Sequence, residues 1–226
     1  MSSYDFSILH ATIRLPDGWL AAYEEWKAKC DDWSKVEYIL AVDSFDQGAW
    51  PKEMPADVRC VINLGRHCSV DAFNAAAAAS TGKLLIQSAD DWFPCEHWDT
   101  ELRKVLGDNF DQEAVIDVDS QHFTGQINIC PMLTRAYYER PGRGGCGGKL
   151  FYPDYISMGA DDDFTEYSNR DGVVKRAYHL RFEHRHPWQG NYTHDTHGAY
   201  AHNQRIEAWQ AKDSVLPRRK ADNFSK

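Results

Sequence analysis

Short apolar runs alternate with amphipathic segments over the first half of the chain. Five apolar, β-prone runs are predicted strands, at residues 6–14, 36–43, 58–64, 83–90 and 113–120. Three segments between them have helical spacing of apolar residues or runs of alanine, at residues 15–30, 68–83 and 93–107. Strands that alternate with helices across short loops favour right-handed crossovers. The pattern predicts an α/β fold with a mostly parallel central sheet flanked by helices, in a single domain.

Local residues predict where several of these elements begin and end. Ser69 is a predicted N-cap, and Gly82 is predicted to close the alanine-rich helix in the left-handed conformation. Pro94 suits the first turn of the following helix, and Gly107 suits its end. The run 36–43 is apolar at nearly every position, which is typical of a strand buried on both faces of a parallel sheet.

The second half of the chain is less regular. Residues 141–148, "PGRGGCGG", are too rich in glycine for regular structure and predict a mobile loop. Their order differs from the G-x-x-x-x-G-K-[ST] pattern, so the segment is not predicted to be a nucleoside triphosphate loop. A dense set of histidines and aromatic residues follows Lys175.

Composition narrows the classes of protein that fit this pattern. The 226 residues are 42 % hydrophobic, enough for one sizeable core, and the net charge of -9 disfavours broad contact with a phosphate backbone. The basic stretch "PRRK" at 217–220 is interpreted as a solvated, frayed terminus. No membrane helix or signal peptide is predicted. Six widely spaced cysteines indicate reduced thiols in a cytoplasm.

Carboxylates follow two of the predicted strands. Asp43 ends the second strand, and the adjacent Asp90 and Asp91 end the fourth. Ligands of open α/β sheets bind at the carboxyl ends of the strands, and carboxylates gathered there repel one another unless a cation or a donor neutralises them. A divalent ion with oxygen ligands would do so. The alternative is that the pair caps the next helix, which aspartate also favours.

Two further clusters carry candidate chemistry. Asp161, Asp162 and Asp163 stand at a predicted helix start, where they are either dipole-favoured acids or include a general base. His184 and His186 alternate on a strand-like run, so both side chains point to one face and could bind a metal. Further histidines follow close by around Asp195, namely His194, His197 and His202.

The order of these motifs resembles the family-2 type of glycosyltransferase, which has the Rossmann-like, nucleotide-sugar-binding A-type fold. The matching stretches are "SILHATIR", "YILAVDSFD", "FNAAAAASTGKLLIQSADDWFP", "GADDDFTEY" and "FEHRHP". They span roughly residues 7–195. The acidic motif is "ADDW" rather than a clean D-x-D, which leaves open which aspartate binds the metal.

The resemblance implies roles for individual residues. It implies that five residues contact the nucleotide-sugar donor: Thr12, Arg14, Asp43, Asn74 and Asp90. It implies that Asp91 ligates Mn²⁺ or Mg²⁺ and that His186, or His184 in its place, completes the metal shell. It implies that Asp161 is the base, with Asp162 and Asp163 as rivals.

The same resemblance implies a metal-dependent, inverting transfer of a sugar, with a UDP-sugar as the expected donor. Residues 1–210 would form the glycosyltransferase domain, divided into a donor half, 1–110, and an acceptor and catalytic half, 111–210; residues 211–226 would form a basic tail. The loop 141–148 could close over the donor. Three aromatic residues could stack on a sugar or a base, although for each one taken singly a packing role is favoured: Trp92, Trp188 and Tyr192.

The acceptor stays open between two classes. The chain is short for the family. In its length it resembles small phage-encoded members that modify hydroxymethylated pyrimidines in DNA, and the basic stretch fits a DNA acceptor. The acidic net charge favours a saccharide or another small acceptor. Two other functions are carried as alternatives: a metallohydrolase built on His184, His186, His194 and Asp195, and a non-catalytic module that binds a nucleotide or a sugar. We expect a cytoplasmic protein, in the host cytoplasm if phage-encoded; no oligomeric state is predicted.

Overall fold

The computed structural model describes residues 4–121, 123–186 and 198–225. Its strands are β1 (Phe6–Ala11), β2 (Val36–Asp43), β3 (Val58–Asn63), β4 (Leu84–Ser88), β5 (Trp92–Phe93), β6 (Val115–Asp119), β7 (Met132–Thr134), β8 (Val174–Arg181) and β9 (Glu183–His184). Its helices are α1 (Leu20–Ala28), α2 (Ser69–Ala79), α3 (Trp98–Leu106), α4 (Arg135–Glu139), α5 (Ala160–Arg170), α6 (Ala199–Asn203) and α7 (Ile206–Ala221).

Seven of these strands form one mostly parallel sheet. The strand order is β3-β2-β1-β4-β7-β6-β8, and only β7 runs antiparallel to its neighbours. A second, two-stranded sheet pairs β5 with β9, which sets Trp92 opposite His184. Helices flank the seven-stranded sheet, so the predicted fold class is confirmed. Strands β7 and β8 were not among the predicted elements.

The central strands are buried on both faces, as their continuous apolar runs predict. All eight residues of β2 are buried. Ile39 packs into the core that includes α2, whereas the next residue, Leu40, packs into the opposite core with Trp26 of α1 and Trp98 of α3. Successive side chains of a strand point to opposite faces, so the sheet divides the apolar interior into two layers.

Two glycines of the predicted helix ends have different roles. Gly107 ends α3 in the left-handed conformation, with φ 59°, as predicted. Gly82 does not take that conformation, and α2 already ends at Ala79. A Cβ atom on Gly82 would lie 2.5 Å from Ser7 Oγ, so the close approach of the chain to β1 requires a glycine here. Ser69 is the first residue of α2, and Cys68 occupies the N-cap position.

The glycine-rich segment 141–148 is packed against the protein. Arg143 is 3 % exposed and donates a 2.5 Å hydrogen bond to the Tyr167 hydroxyl. A Cβ atom on Gly144 would lie 2.7 Å from the Tyr167 ring, so the glycine admits that ring. The prediction of a mobile loop is wrong for these buried residues, because aromatic rings enclose the Arg143 guanidinium.

The basic stretch 217–220 is part of helix α7 rather than a frayed terminus. Arg219 is 1 % exposed, and its guanidinium pairs with Asp163 of α5, the Nε–Oδ1 distance being 3.1 Å. The prediction of a solvated tail is therefore wrong for Arg219. The division into a domain of residues 1–210 and a tail stays a prediction. In the described part of the chain, no helix has the length and apolar character needed to cross a bilayer.

Candidate functional site

A cavity of about 630 Å³ opens at the carboxyl ends of β1, β2 and β4. Residues that follow these strands form one wall, and the first turn of α5 with the segment around His184 forms another. Nine of the eleven residues proposed from the sequence line the cavity: Thr12, Arg14, Asp43, Asp90, Asp91, Asp161, Asp162, His184 and His186. The rule that ligands of open α/β sheets bind at this edge explains why they meet.

Asp90 is held in place by the end of β1. Its two carboxylate oxygens contact His10 Nε2 at 2.8 Å and the Thr12 hydroxyl at 2.9 Å. His10 is fully buried, and its other ring nitrogen lies 2.5 Å from the Tyr38 hydroxyl. Sequence reasoning missed His10, although a histidine inside an otherwise apolar strand was a visible signal. Asp90 therefore presents a carboxylate with a fixed orientation.

Asp91 lies among donors from the C-terminal part of the chain. The Tyr200 hydroxyl donates to its Oδ2 at 2.6 Å, and His184 Nε2 lies 3.6 Å from the same oxygen. Burial by itself raises the pKa of Asp91, but His184 and the Tyr200 hydroxyl bring it down to about 2. Asp91 is therefore ionised at neutral pH, and the β5–β9 pairing brings His184 to its side.

The two histidines proposed as metal ligands lie next to each other. The His184 and His186 ring centroids are 5.1 Å apart, and the His186 ring is 4.4 Å from that of Tyr200. Tyr200 also lies under the Arg14 guanidinium, 4.8 Å from its ring centroid. Asp91, His184 and His186 thus share one side of the cavity with a tyrosine that the sequence did not single out.

A second group of ligand-type side chains surrounds Asp43. Its carboxylate accepts a 2.5 Å hydrogen bond from Asn63 and lies 3.2 Å from His67 Nε2. The Asp46 carboxylate lies 3.5 Å from the same nitrogen. Burial raises the pKa of Asp43. Ligand atoms of Asp43, Asp46 and His67 lie within 4.8 Å of one another, a spacing that could also hold a cation.

The first turn of α5 brings two of its three aspartates to the cavity. Asp161 lines the wall, and burial together with the charge of Asp162 raises its pKa to about 6. Asp162 forms an ion pair with Lys212 of α7, the Oδ2–Nζ distance being 2.7 Å. Asp163 lies outside the cavity, 1 % exposed, in the pair with Arg219. This geometry argues against Asp163 as a base. Of the three aspartates of α5, Asp161 is the one that both lines the cavity and has a raised pKa.

Two further residues named from the sequence have structural roles in the fold. Asn74 bonds the backbone of Phe151 through both polar atoms, at 2.9 and 3.1 Å, and does not line the cavity. It positions Phe151, which does. Trp92 is 1 % exposed and packs on Phe182, so it is a core residue. Five residues named from the sequence lie outside the described residues: Trp188, Tyr192, His194, Asp195 and His197.

Several lining residues were not found from the sequence. Lys212 and Trp209 of α7 line the cavity. His67, in the irregular segment after β3, and Asp46, in a short 3₁₀ helix after β2, belong to the group around Asp43. Asp46 follows Asp43 by three residues in "VDSFD", which was a signal for the pair. His202, one of the late histidines, lines the cavity beside His67, with ring centroids 4.4 Å apart.

Solved structures share this fold. The S. aureus TarS 1–349 structure superposes with a TM-score of 0.55 at 10 % identity, covering 80 % of this chain and 60 % of that one. The same fragment in complex with UDP-GlcNAc superposes with a TM-score of 0.54 at 10 % identity, covering 79 % of this chain and 58 % of that one. The mannosyltransferase PcManGT of Pyrobaculum calidifontis, in complex with GDP-Man and Mn²⁺, superposes with a TM-score of 0.52 at 14 % identity. This match covers 77 % of this chain and 54 % of that one.

These similarities show the fold. The chain has the α/β architecture of A-type glycosyltransferases, and it spans about 60 % of the length of the TarS 1–349 structure. No protein-family model matches the sequence, and no curated protein sequence matches it.

Proposed function

We propose that this protein is a metal-dependent, inverting glycosyltransferase that uses a nucleotide-sugar donor, with a UDP-sugar as the expected donor. The observation that carries the proposal is the meeting of Asp43, Asp90, Asp91 and Asp161 at one cavity of an A-type fold. TarS structures with UDP and UDP-GlcNAc, and the mannosyltransferase with GDP-Man and Mn²⁺, have the same fold and support a nucleotide-sugar ligand.

The donor's nucleotide would bind along the ends of β1, β2 and β4. Asp43 accepts hydrogen bonds from the base or ribose, and Asp90 receives the ribose on the orientation that His10 and Thr12 fix. Arg14 lies 3.8 Å from Asp90 and carries the positive charge for the diphosphate side. Asn74 contributes through Phe151 rather than by touching the donor.

The residues beside Asp91 fit a divalent cation. The Asp91 oxygen and the His184 nitrogen are 3.6 Å apart, close to the separation of two ligands on one ion with bonds of about 2.1 Å. The carboxylate suits Mn²⁺ or Mg²⁺, and imidazole ligands favour Mn²⁺ over Mg²⁺, which prefers oxygen. Asp91, His184 and His186 would hold the ion. When bound, the ion neutralises the charge that develops on the leaving diphosphate.

Asp161 would act as the general base. Its carboxylate accepts the proton of the acceptor hydroxyl while that oxygen forms a bond to the anomeric carbon and the bond to the diphosphate breaks. One displacement inverts the anomeric centre. A pKa of about 6 keeps Asp161 ionised at neutral pH and yet more basic than an ordinary aspartate. The Lys212 ammonium holds Asp162 at 2.7 Å, which leaves Asp161 as the proton acceptor.

The metallohydrolase alternative would use four metal ligands: His184, His186, His194 and Asp195. His184 and His186 do lie together, but the other two residues of that set, His194 and Asp195, lie outside the described residues. A hydrolase of this kind would bind metal without needing a nucleotide. A transferase would bind the two together, because the diphosphate supplies ligands to the ion.

Thermal unfolding tests the proposal. We expect Mn²⁺ with UDP to raise the melting temperature by more than the sum of the two separate shifts. The same measurement with GDP and Mn²⁺ shows whether the protein prefers uracil or guanine as the nucleobase of the donor. If no nucleoside diphosphate stabilises the protein in the presence of Mn²⁺ or Mg²⁺, the proposed donor class is wrong.

A further inference from the structure

Helix α7 contributes one side chain to the cavity that the donor roles leave unused. Trp209 lines the cavity, yet it is 40 % exposed, which is high for so large an apolar side chain. The Lys212 ammonium lies 5.7 Å from the Trp209 ring centroid and 2.7 Å from the Asp162 carboxylate. Lys212 therefore links Trp209 to the first turn of α5, which presents Asp161 to the cavity.

The rest of α7 fixes the position of that tryptophan. Trp209, Lys212, Val215 and Arg219 recur at intervals of three and four residues, so they lie along one stripe of the helix. Val215 is 5 % exposed, and Arg219 is 1 % exposed in its pair with Asp163. The indole is thus carried by a helix that is anchored in the core, and its open face is a preorganised contact surface.

The charges around this surface disfavour a polyanion. Three basic side chains of α7 are already paired with acidic side chains of the protein: Arg218 with Asp154, Arg219 with Asp163 and Lys220 with Glu166. The cavity wall adds the carboxylates of Asp161 and Asp162, of which the second is paired. The basic stretch that could have attracted a phosphate backbone is therefore neutralised within the fold, and the net charge is -9.

We propose that Trp209 is the acceptor platform, the surface on which the ring of a neutral saccharide stacks with a hydroxyl directed to Asp161. The inference rests on the proposed transferase function and narrows its acceptor from two classes to one. A sugar ring has an apolar face and polar edges, and an indole offers a matching flat apolar surface beside polar groups. A DNA acceptor is the competing outcome.

Kinetics with matched variants test the acceptor platform. The acceptors are methyl glycosides of glucose, galactose and N-acetylglucosamine, with a hydroxymethylcytosine oligonucleotide as the competing class. We expect Trp209→Ala to raise the acceptor KM at least about tenfold while the donor KM stays near wild type. Trp209→Phe, which keeps a flat apolar ring, should recover most of that loss. Ile206→Ala is the control, because Ile206 is 72 % exposed on the same helix and does not line the cavity.

The outcomes separate this inference from the function on which it rests. An unchanged acceptor KM in Trp209→Ala, transfer to the oligonucleotide alone, or hydrolysis of the donor without transfer to any of the sugars would each overturn the acceptor platform. Absence of both UDP binding and donor turnover in the wild type would instead overturn the transferase proposal. Melting curves of the three variants show that each one folds.

Discussion

Replacing Asp161 by asparagine is expected to abolish transfer and to stabilise the protein. The Asp161 carboxylate is partly buried beside Asp162, and its pKa is raised from 3.8 to about 6. A folded-state pKa above the unfolded value means that the folded protein binds the proton more tightly, so stability falls as pH rises between about 4 and 6. Above pH 6 the full destabilisation is present.

The size of the effect follows from the shift. About two pKa units correspond to roughly 3 kcal/mol of unfavourable free energy for the ionised carboxylate. Asp161→Asn removes that charge and can keep the acceptor oxygen that the Asp162 backbone N–H contacts at 3.0 Å. We therefore expect the variant to gain up to about 3 kcal/mol in unfolding free energy at pH 7.5, and most of that gain to vanish by pH 4.5.

Urea unfolding at the two pH values measures the gain, and transfer assays measure the loss. Asp162→Asn is the matched control, because it breaks a partly exposed pair with Lys212 and should lower stability by about 0–1 kcal/mol. In the wild type, kcat should decline as pH falls through about 6, where Asp161 takes up its proton. An Asp161→Asn variant that is active, or that is less stable than wild type at pH 7.5, would refute this reasoning.

Two further predictions concern the metal and the C-terminal helix. Asp91→Asn should remove the extra stabilisation that Mn²⁺ adds to UDP, as read from melting curves, whereas Asp46→Asn should keep it; the reverse pattern would move the ion to the cluster around Asp43. Arg219→Met leaves Asp163 buried without its partner, so urea unfolding should show a loss of about 3–5 kcal/mol. The exposed neighbour Arg218→Met should leave stability near wild type, and equal losses in both variants would contradict the special role of the buried pair.

The sheet and the carboxylates at its edge could be predicted from the sequence. Continuous apolar runs marked the buried strands, and the acids that follow them had to meet because parallel strands end at one edge. Asp43, Asp90 and Asp91 therefore line the cavity as expected. Strands β7 and β8 gave weaker patterns, since β7 has three residues and only two of the eight residues of β8 are buried.

Side-chain direction and long-range pairing could not be read from the same pattern. Successive residues of a helix are turned by about 100°, so Asp161 reaches the cavity while Asp163 points into the core, and that rotation depends on packing. The solvated reading of "PRRK" failed because Asp163, the partner of Arg219, is 56 residues away in the chain. His67 lies in an irregular segment, where no periodicity reveals a direction.

Helix α7 runs from the cavity, which Trp209 lines, to the buried pair of Arg219 and Asp163. Arg219 follows Trp209 by ten positions, which is about 15 Å along the helix axis. A change in packing around Arg219 would therefore tilt the helix and displace the Trp209 ring at its other end. For the proposed acceptor platform, we expect core mutations beside Asp163 and Tyr155 to alter acceptor choice without touching the cavity. We also expect substitutions at Trp209 to change that choice only while the Arg219 end of the helix keeps its packing.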